Sequence, residues 1–479
     1  MNRLKYLFIG TFMLALGVPA MAQDDNSATI EAATNVIKSK PADLEDQLKP
    51  IYKKNKKNEE VLVAMGRAFL DIKDTVNAVT YAEHAMKANK KYAPAFILLG
   101  DIAALNNDGG QAAGYYNQAI YFDPKNPDAY YKYASVYRKI SPSEAVGRLE
   151  ELRAQRPDIA VDAMIGHIYY VSNEFAQAAE SYSKADRNAL DEHQLTEFAM
   201  AYYFSQKYAE SLEVAKFGLS KMPRDAAFNR LAFINSTELK DYTNALMYAD
   251  ALFNKSDSAK FSYFDYTYYG NAYNGNKEYD KAIAMYHKAL EQEIDNNEKR
   301  AGVVKQLSDC YLEKEDYSNA IKYYQDYLKT LGNASANDVA ALAQIYIHYA
   351  DTLKDSTRNE MFKKAEQVYI DMEQKYPDAL EYVTFMRARV NSYIDPETKE
   401  GLAKPYYEKV VSMIEPRAEK TASDNARLVE CYRYLGYYYL LQMEKDPAAK
   451  ETSTSFWNKI LAIDPENEIA KQALTLTTK

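Results

Sequence analysis

The stretch Ala93 to Asn126, APAFILLGDIAALNNDGGQAAGYYNQAIYFDPKN, limits the folds open to this chain more than any other. Phe96, Leu99, Gly100 and Ala103 recur at helical spacing and share one face; Ala112, Tyr116 and Ala119 do the same further on. Between the two runs, Asn107, Asp108, Gly109 and Gly110 read as a turn in which glycine supplies the backbone angles. Pro124 ends the second helix, because proline has no N–H to continue it. The unit is a helical hairpin of 34 residues, Ala93 to Asn126. Small residues at Gly100, Ala112 and Ala119 let its helices approach closely, and the larger ones fill the gap to whatever packs next.

The pattern recurs. Ahead of the model hairpin come Leu62, Met65, Gly66 and Phe69 with Ala78, Ala82 and Ala85. After it come Tyr130, Tyr133, Ala134 and Tyr137 with Ala145, Leu149 and Leu152, then Ile165, Gly166 and Tyr169 with Ala178, Tyr182 and Ala185, then Leu195, Phe198, Ala199 and Tyr202 with Ser211, Ala215 and Gly218. Around Leu231 and Ala232 the first helix can be set in either of two registers, although Ala245, Ala249 and Leu252 fix the second. Tyr266, Tyr269, Gly270 and Tyr273 pair with Ala282, Tyr286 and Ala289, and Val304, Leu307, Ser308 and Tyr311 with Ala320, Tyr324 and Tyr327. Beyond about Gly332 the pattern loosens: Asp351 to Asn359, Asp395 to Gly401 and Asp446 to Thr452 read as lengthened turns, and Met386 and Arg389 replace the expected small and aromatic residues.

A unit of this length with these small and aromatic stations resembles the tetratricopeptide repeat, whose period is 34 residues. The resemblance covers roughly residues 59 to 465 in about ten hairpins. It implies an all-α, right-handed superhelical solenoid. Residues 23–58 read as an N-terminal helical cap or degenerate repeat, with Pro50 disturbing its second helix, 59–334 as the regular array, and 335–479 as looser hairpins closed by a capping helix near Ile469 to Leu476.

The first 22 residues are of another kind. Asn2, Arg3 and Lys5 precede an apolar run, Leu7 to Val18, and Ala20-Met21-Ala22 forms a small-x-small cleavage site. We expect residues 1–22 to be a secretory signal that is removed, leaving a periplasmic chain, with no cysteine near the cut for a lipid anchor. Loss of Arg3 and Lys5 takes the formal charge from -9 to -11. That sign disfavours nucleic acid, whose phosphates reward a basic surface, and leaves cationic proteins among the partners. Cys310 and Cys431, the only cysteines, fall in distant hairpins and are expected to be free.

In tetratricopeptide arrays the first helices line a concave surface that receives an extended peptide or a partner helix, and the resemblance carries that role onto specific positions here. They are Tyr131, Ser135, Arg138 and Lys139, then Ala163, His167 and Tyr170, then His193, Thr196, Met200, Tyr203 and Phe204, and further on Thr267, Asn271, Asn274, Lys305 and Asp309. The aromatic and basic cluster between Tyr131 and Phe204 is the expected hot spot. Asn271 and Lys305 suit the carboxylate clamp of one subclass, but Asp309 stands where a second asparagine is wanted and would repel the carboxylate.

No phosphate-cradling glycine loop, nucleophile elbow or two-histidine zinc helix is present, and the five histidines are scattered singly. The expectation is a non-enzymatic scaffold, without cofactor or metal, that binds envelope proteins. The alternative is glycan capture of the SusD-like type; those proteins carry an anchor cysteine and exposed Trp, whereas this chain has only Trp457. Asn235-Ser236-Thr237, Asn254-Lys255-Ser256 and Asn333-Ala334-Ser335 match the N-glycosylation pattern. Asp74-Thr75-Val76, Asp257-Ser258-Ala259, Asp351-Thr352-Leu353 and Asp355-Ser356-Thr357 are similar to O-glycosylation sites of exported Bacteroidetes proteins, a phylum that the tyrosine-rich and lysine-rich style also resembles.

Overall fold

The computed structural model describes residues 26–354 and 356–478. The expected signal, residues 1–22, lies outside the described residues, as does Asp355. All regular structure among the described residues is helical, and the chain divides into two compact units, one ending at Lys221 and one beginning at Met222.

In the first unit α1 (Ser27–Ser39) and α2 (Leu44–Asn55) precede five hairpins. These are α3 and α4 (Glu59–Asp71, Thr75–Ala88), α5 and α6 (Ala93–Leu105, Gly109–Phe122), α7 and α8 (Pro127–Tyr137, Pro142–Gln155), α9 and α10 (Asp162–Val171, Phe175–Lys184), and α11 and α12 (Glu192–Phe204, Tyr208–Lys221). The second unit has six more: α13 and α14 (Ala226–Glu238, Tyr242–Asp250), α15 and α16 (Tyr263–Gly275, Tyr279–Glu291), α17 and α18 (Asn297–Glu313, Tyr317–Leu331), α19 and α20 (Ala336–Thr352, Ser356–Lys375), α21 and α22 (Leu380–Ile394, Lys404–Ile414), and α23 and α24 (Ala422–Gln442, Pro447–Ile463). Helix α25 (Glu468–Thr478) follows, burying Ala470 and Ala473. Within each unit, each hairpin packs on the next along the chain. Four pairs of successive first helices touch one another (α3 with α5 and α9 with α11; α13 with α15 and α15 with α17), which places these helices on the inside of the local curve.

One device makes most of the turns, and it is not glycine. Gly109 and Gly110 belong to α6, and the residue that takes the left-handed conformation is Asn107, with φ 61°. Asp108 then donates its N–H to the Ala103 carbonyl at 2.9 Å, closing the end of α5, while its carboxylate accepts from the Gln111 N–H at 2.9 Å and starts α6. One residue thus ends one helix and caps the next. The same left-handed residue recurs at Lys73, Asn173, Gln206, Lys240, Lys277 and Glu315, and the same closing bond is made by Asp74, Glu174, Lys207, Asp241, Glu278 and Asp316.

That bond also settles the register left open near Leu231. Asp241 N–H reaches the Ser236 carbonyl at 2.8 Å as Asp108 reaches Ala103, so Phe233 stands where Gly100 stands and Ala249 where Tyr116 stands. The large and small residues have exchanged helices. Buried side chains occur almost all round α13, from Phe228 to Thr237, which is why periodicity alone gave two answers. Asn235, first residue of a glycosylation triplet, is fully buried there and donates to the Leu231 carbonyl at 2.8 Å, so that triplet is not presented to a transferase.

Two of the three expected long turns are helix instead. Helix α20 already begins at Ser356, because Met361 and Phe362 give the inserted residues an apolar side to bury, and α24 begins at Pro447 behind the cap Asp446. The third is an ordered loop: the carboxylate of Asp395 accepts the N–H groups of Lys399, Glu400 and Gly401 at 3.0, 3.0 and 2.8 Å. Helix α2 runs through Pro50. In α21, Met386 is buried, and Arg389 lies 4.6 Å from the Phe385 ring and is doubly bonded to Glu430 at 2.7 and 2.6 Å. A stacked, bidentate guanidinium does there what an aromatic residue does elsewhere.

Candidate functional site

The inner face is built on a three-residue station. In the second hairpin the Tyr116 ring covers Gly100, and its hydroxyl emerges beside the next residue, Asp101, donating to it at 2.8 Å. Burial, reinforced by the Asp101 charge, holds the Tyr116 phenol protonated far above its usual range. Asp101 also pairs with Lys132 of the next hairpin at 2.8 Å and Arg67 of the preceding one at 3.2 Å. Two hairpins on, the Tyr182 ring covers Gly166, but its hydroxyl turns to Glu197 of the following hairpin, 2.6 Å away. The residue after this glycine is His167, whose Nδ1 also meets Glu197, at 2.9 and 3.1 Å; His193 Nε2 adds a 3.5 Å contact. In the second unit Tyr286 covers Gly270 and donates to Asn271 at 2.9 Å.

The expected hot-spot residues sort into two assemblies. His167 and His193 come together around the buried Glu197, 5% exposed. Tyr170 donates to Met200 Sδ at 3.4 Å and meets Phe175 edge-on at 5.7 Å; Phe175 lies 4.6 Å from Phe204, and Tyr203 meets Phe204 at 5.6 Å. Arg138, at the end of α7, donates to the Ser135 carbonyl and Oγ, both at 2.7 Å. Ser172, just past the end of α9, reaches the Arg138 carbonyl at 3.4 Å. Lys139 is exposed and Tyr131 half-buried.

Asn271 and Lys305 lie in the second unit and are engaged by their neighbours. Asn271 accepts from Tyr286, and Lys305 pairs with Asp309 at 2.9 Å. The acidic residue that spoils the clamp in sequence thus occupies the lysine itself. Trp457 is 2% exposed, packed on Gly436 with Nε1 donating to Ser453 Oγ at 3.1 Å, so its indole is not presented for stacking on a sugar.

Sequence reading missed Asp101, Glu197 and Phe175. The signal for the two acids was available as a spacing of 15 residues between a hairpin tyrosine and a polar partner: Tyr116 with Asp101, Tyr286 with Asn271, Tyr182 with Glu197. Among the described residues no group of three or more His, Cys, Asp or Glu is arranged to hold a metal, and no helix is long and apolar enough to cross a membrane.

The hairpins and their glycine and tyrosine stations give the described residues the architecture of a tetratricopeptide-type helical array. Residues 306–330, the second half of α17 and most of α18, match the tetratricopeptide repeat family model. The chain is similar to the C-terminal part of a TPR repeat-containing protein from Cytophaga hutchinsonii at 25% identity, over 58% of this chain and 99% of that one, with a TM-score of 0.46. A tetratricopeptide repeat protein from Parabacteroides merdae is similar at 19% identity, over 53% of this chain and 98% of that one, with a TM-score of 0.34. YrrB, described as a TPR protein with an unusual peptide-binding site, is similar at 13% identity over 38% and 95%, with a TM-score of 0.31. No curated protein matches the chain.

Proposed function

We propose that this protein is an exported, non-enzymatic scaffold that holds partner proteins of the cell envelope on the inner face of its first unit. The observation that carries the reading is the aromatic assembly of Tyr170, Phe175, Tyr203 and Phe204, with Phe204 46% exposed, while Ser172, two residues after Tyr170, reaches the carbonyl of Arg138 at the end of α7. Aromatic and arginine side chains anchor interfaces because they bury much area at little entropic cost. Support for export is the basic, apolar and small-x-small order of residues 1–22.

Two measurements test the two halves of the reading. Fractionation with N-terminal sequencing should find the chain in the periplasm, beginning at Gln23; a cytoplasmic chain that retains residues 1–22 contradicts export. A pull-down from envelope extract should recover a partner that is lost when Tyr131, Arg138, Tyr170 and Tyr203 are changed to Ala. Equal recovery with wild type and variant contradicts the inner-face assignment.

A further inference from the structure

Most charges on the inner face of the first unit are closed on one another. Asp101 is shared by Arg67 and Lys132, and Glu197 by His167, His193 and Tyr182. Arg138 is the exception. Its partners are the neutral oxygens of Ser135, its Nε is buried without any partner, and no carboxylate of the described residues pairs with it. An arginine stays charged at every pH a protein meets, so a positive charge eased only by the carbonyl end of α7 stands without a carboxylate on a chain whose formal charge is -9. In the second unit, by contrast, Lys305 is neutralised by Asp309.

Arg138 closes α7, and the ends of the next two first helices carry Tyr170 and then Tyr203 and Phe204, with Phe175 between the rings. We propose that this edge of the inner face takes an extended segment of a partner protein by two of its side chains: a carboxylate that pairs with Arg138 and a large apolar group that packs on Tyr170, Phe175 and Phe204. The proposal deepens the scaffold reading and rests on it. Neighbouring packed helices stand about 8–10 Å apart and an extended chain advances about 3.3 Å per residue, so each hairpin spans about three residues. The rings belong to the fourth hairpin and the first helix of the fifth, so the acidic and apolar side chains are about three to six residues apart. The carboxylate is that of Asp or Glu within the segment, since nothing about Arg138 requires a chain end.

The test is fluorescence anisotropy of the full chain with fluorescein-labelled, C-terminally amidated peptides of about 12 residues, each with one Glu and one Phe about three to six positions apart in a Ser- and Thr-rich background, made at each spacing in both orders. One order should bind. Replacing its Glu by Lys should weaken binding at least about tenfold, Gln should fall between, and R138E should reverse the preference. Equal affinity for the Glu, Gln and Lys peptides, or no binding in either order, overturns the proposal without recourse to any variant. A native partner captured on the inner face while these peptides fail would sink this inference and leave the scaffold standing; absence of any captured partner would sink the scaffold as well.

Discussion

A Cβ built on Gly100 falls 2.3 Å from the ring of Tyr116, closer than any real side chain approaches. The tyrosine is fixed at both ends, its ring buried between helices and its hydroxyl on Asp101, so it cannot swing away. G100A should therefore cost about 1–3 kcal/mol through overpacking. Gly114, in the same hairpin, has nothing within 4 Å of its added Cβ, and G114A should stabilise by about 0.5–1 kcal/mol by removing a mid-helix glycine. Urea unfolding followed by circular dichroism checks both; shifts of the same sign would contradict the packing account.

Glu197 is satisfied by Tyr182, His167 and His193 and is almost wholly out of water. Y182F removes its shortest hydrogen bond and should cost about 1.5–3 kcal/mol. Y116F should cost less, because Asp101 keeps Arg67 and Lys132. Equal losses would mean that Arg67 and Lys132 do not make up for the hydroxyl that Asp101 loses.

The turns pay a conformational penalty wherever an ordinary side chain takes the left-handed position. Q206G and K240G should each stabilise by up to about 1 kcal/mol, whereas N107G should gain less, since asparagine tolerates that region. D108A loses the cap on α6 and should cost about 1 kcal/mol.

Burial pushes the phenols of Tyr133, Tyr327 and Tyr434 up to about 12, and those of Tyr116, Tyr182, Tyr286, Tyr369 and Tyr407 higher still; the Cys310 thiol also rises to about 12. Each of these groups binds its proton more tightly in the folded state. Their contribution is complete below the unfolded values, about 10 for tyrosine, and is lost as pH rises toward the folded ones. Stability should fall steeply between about pH 10 and 12, and phenolate absorbance should show a late fraction that ionises together with unfolding. A smooth titration of all tyrosines near pH 10 would contradict their burial. By the same reasoning, a disulfide-exchange reagent at mildly alkaline pH should find both thiols unreactive until the chain unfolds.

The architecture was legible because a glycine recurs at about one, two or three hairpin lengths: Gly66, Gly100, Gly166 and Gly270 announce their hairpins from sequence alone. What was not legible follows from packing between helices. Phe233 and Ala249 exchange large and small while conserving their summed bulk, so no single-helix pattern could place them. Asn107 took the turn conformation expected of Gly109 because the closing bond needs one left-handed residue, and asparagine supplies it within reach of Asp108. On the inner face, the resemblance to tetratricopeptide arrays pointed to His167, His193 and Tyr170 but not to Glu197, because an acid on a helical face reads as solvated until its three partners, drawn from two hairpins, are seen around it.

The central claim is that a partner sits on the inner face of the first unit, and in-cell crosslinking from a photoreactive residue at Tyr170 tests it most directly. The account predicts one dominant envelope protein captured from this position and none from Tyr121, whose ring is 79% exposed on a second helix. Adducts from Tyr121 with none from Tyr170 would contradict it.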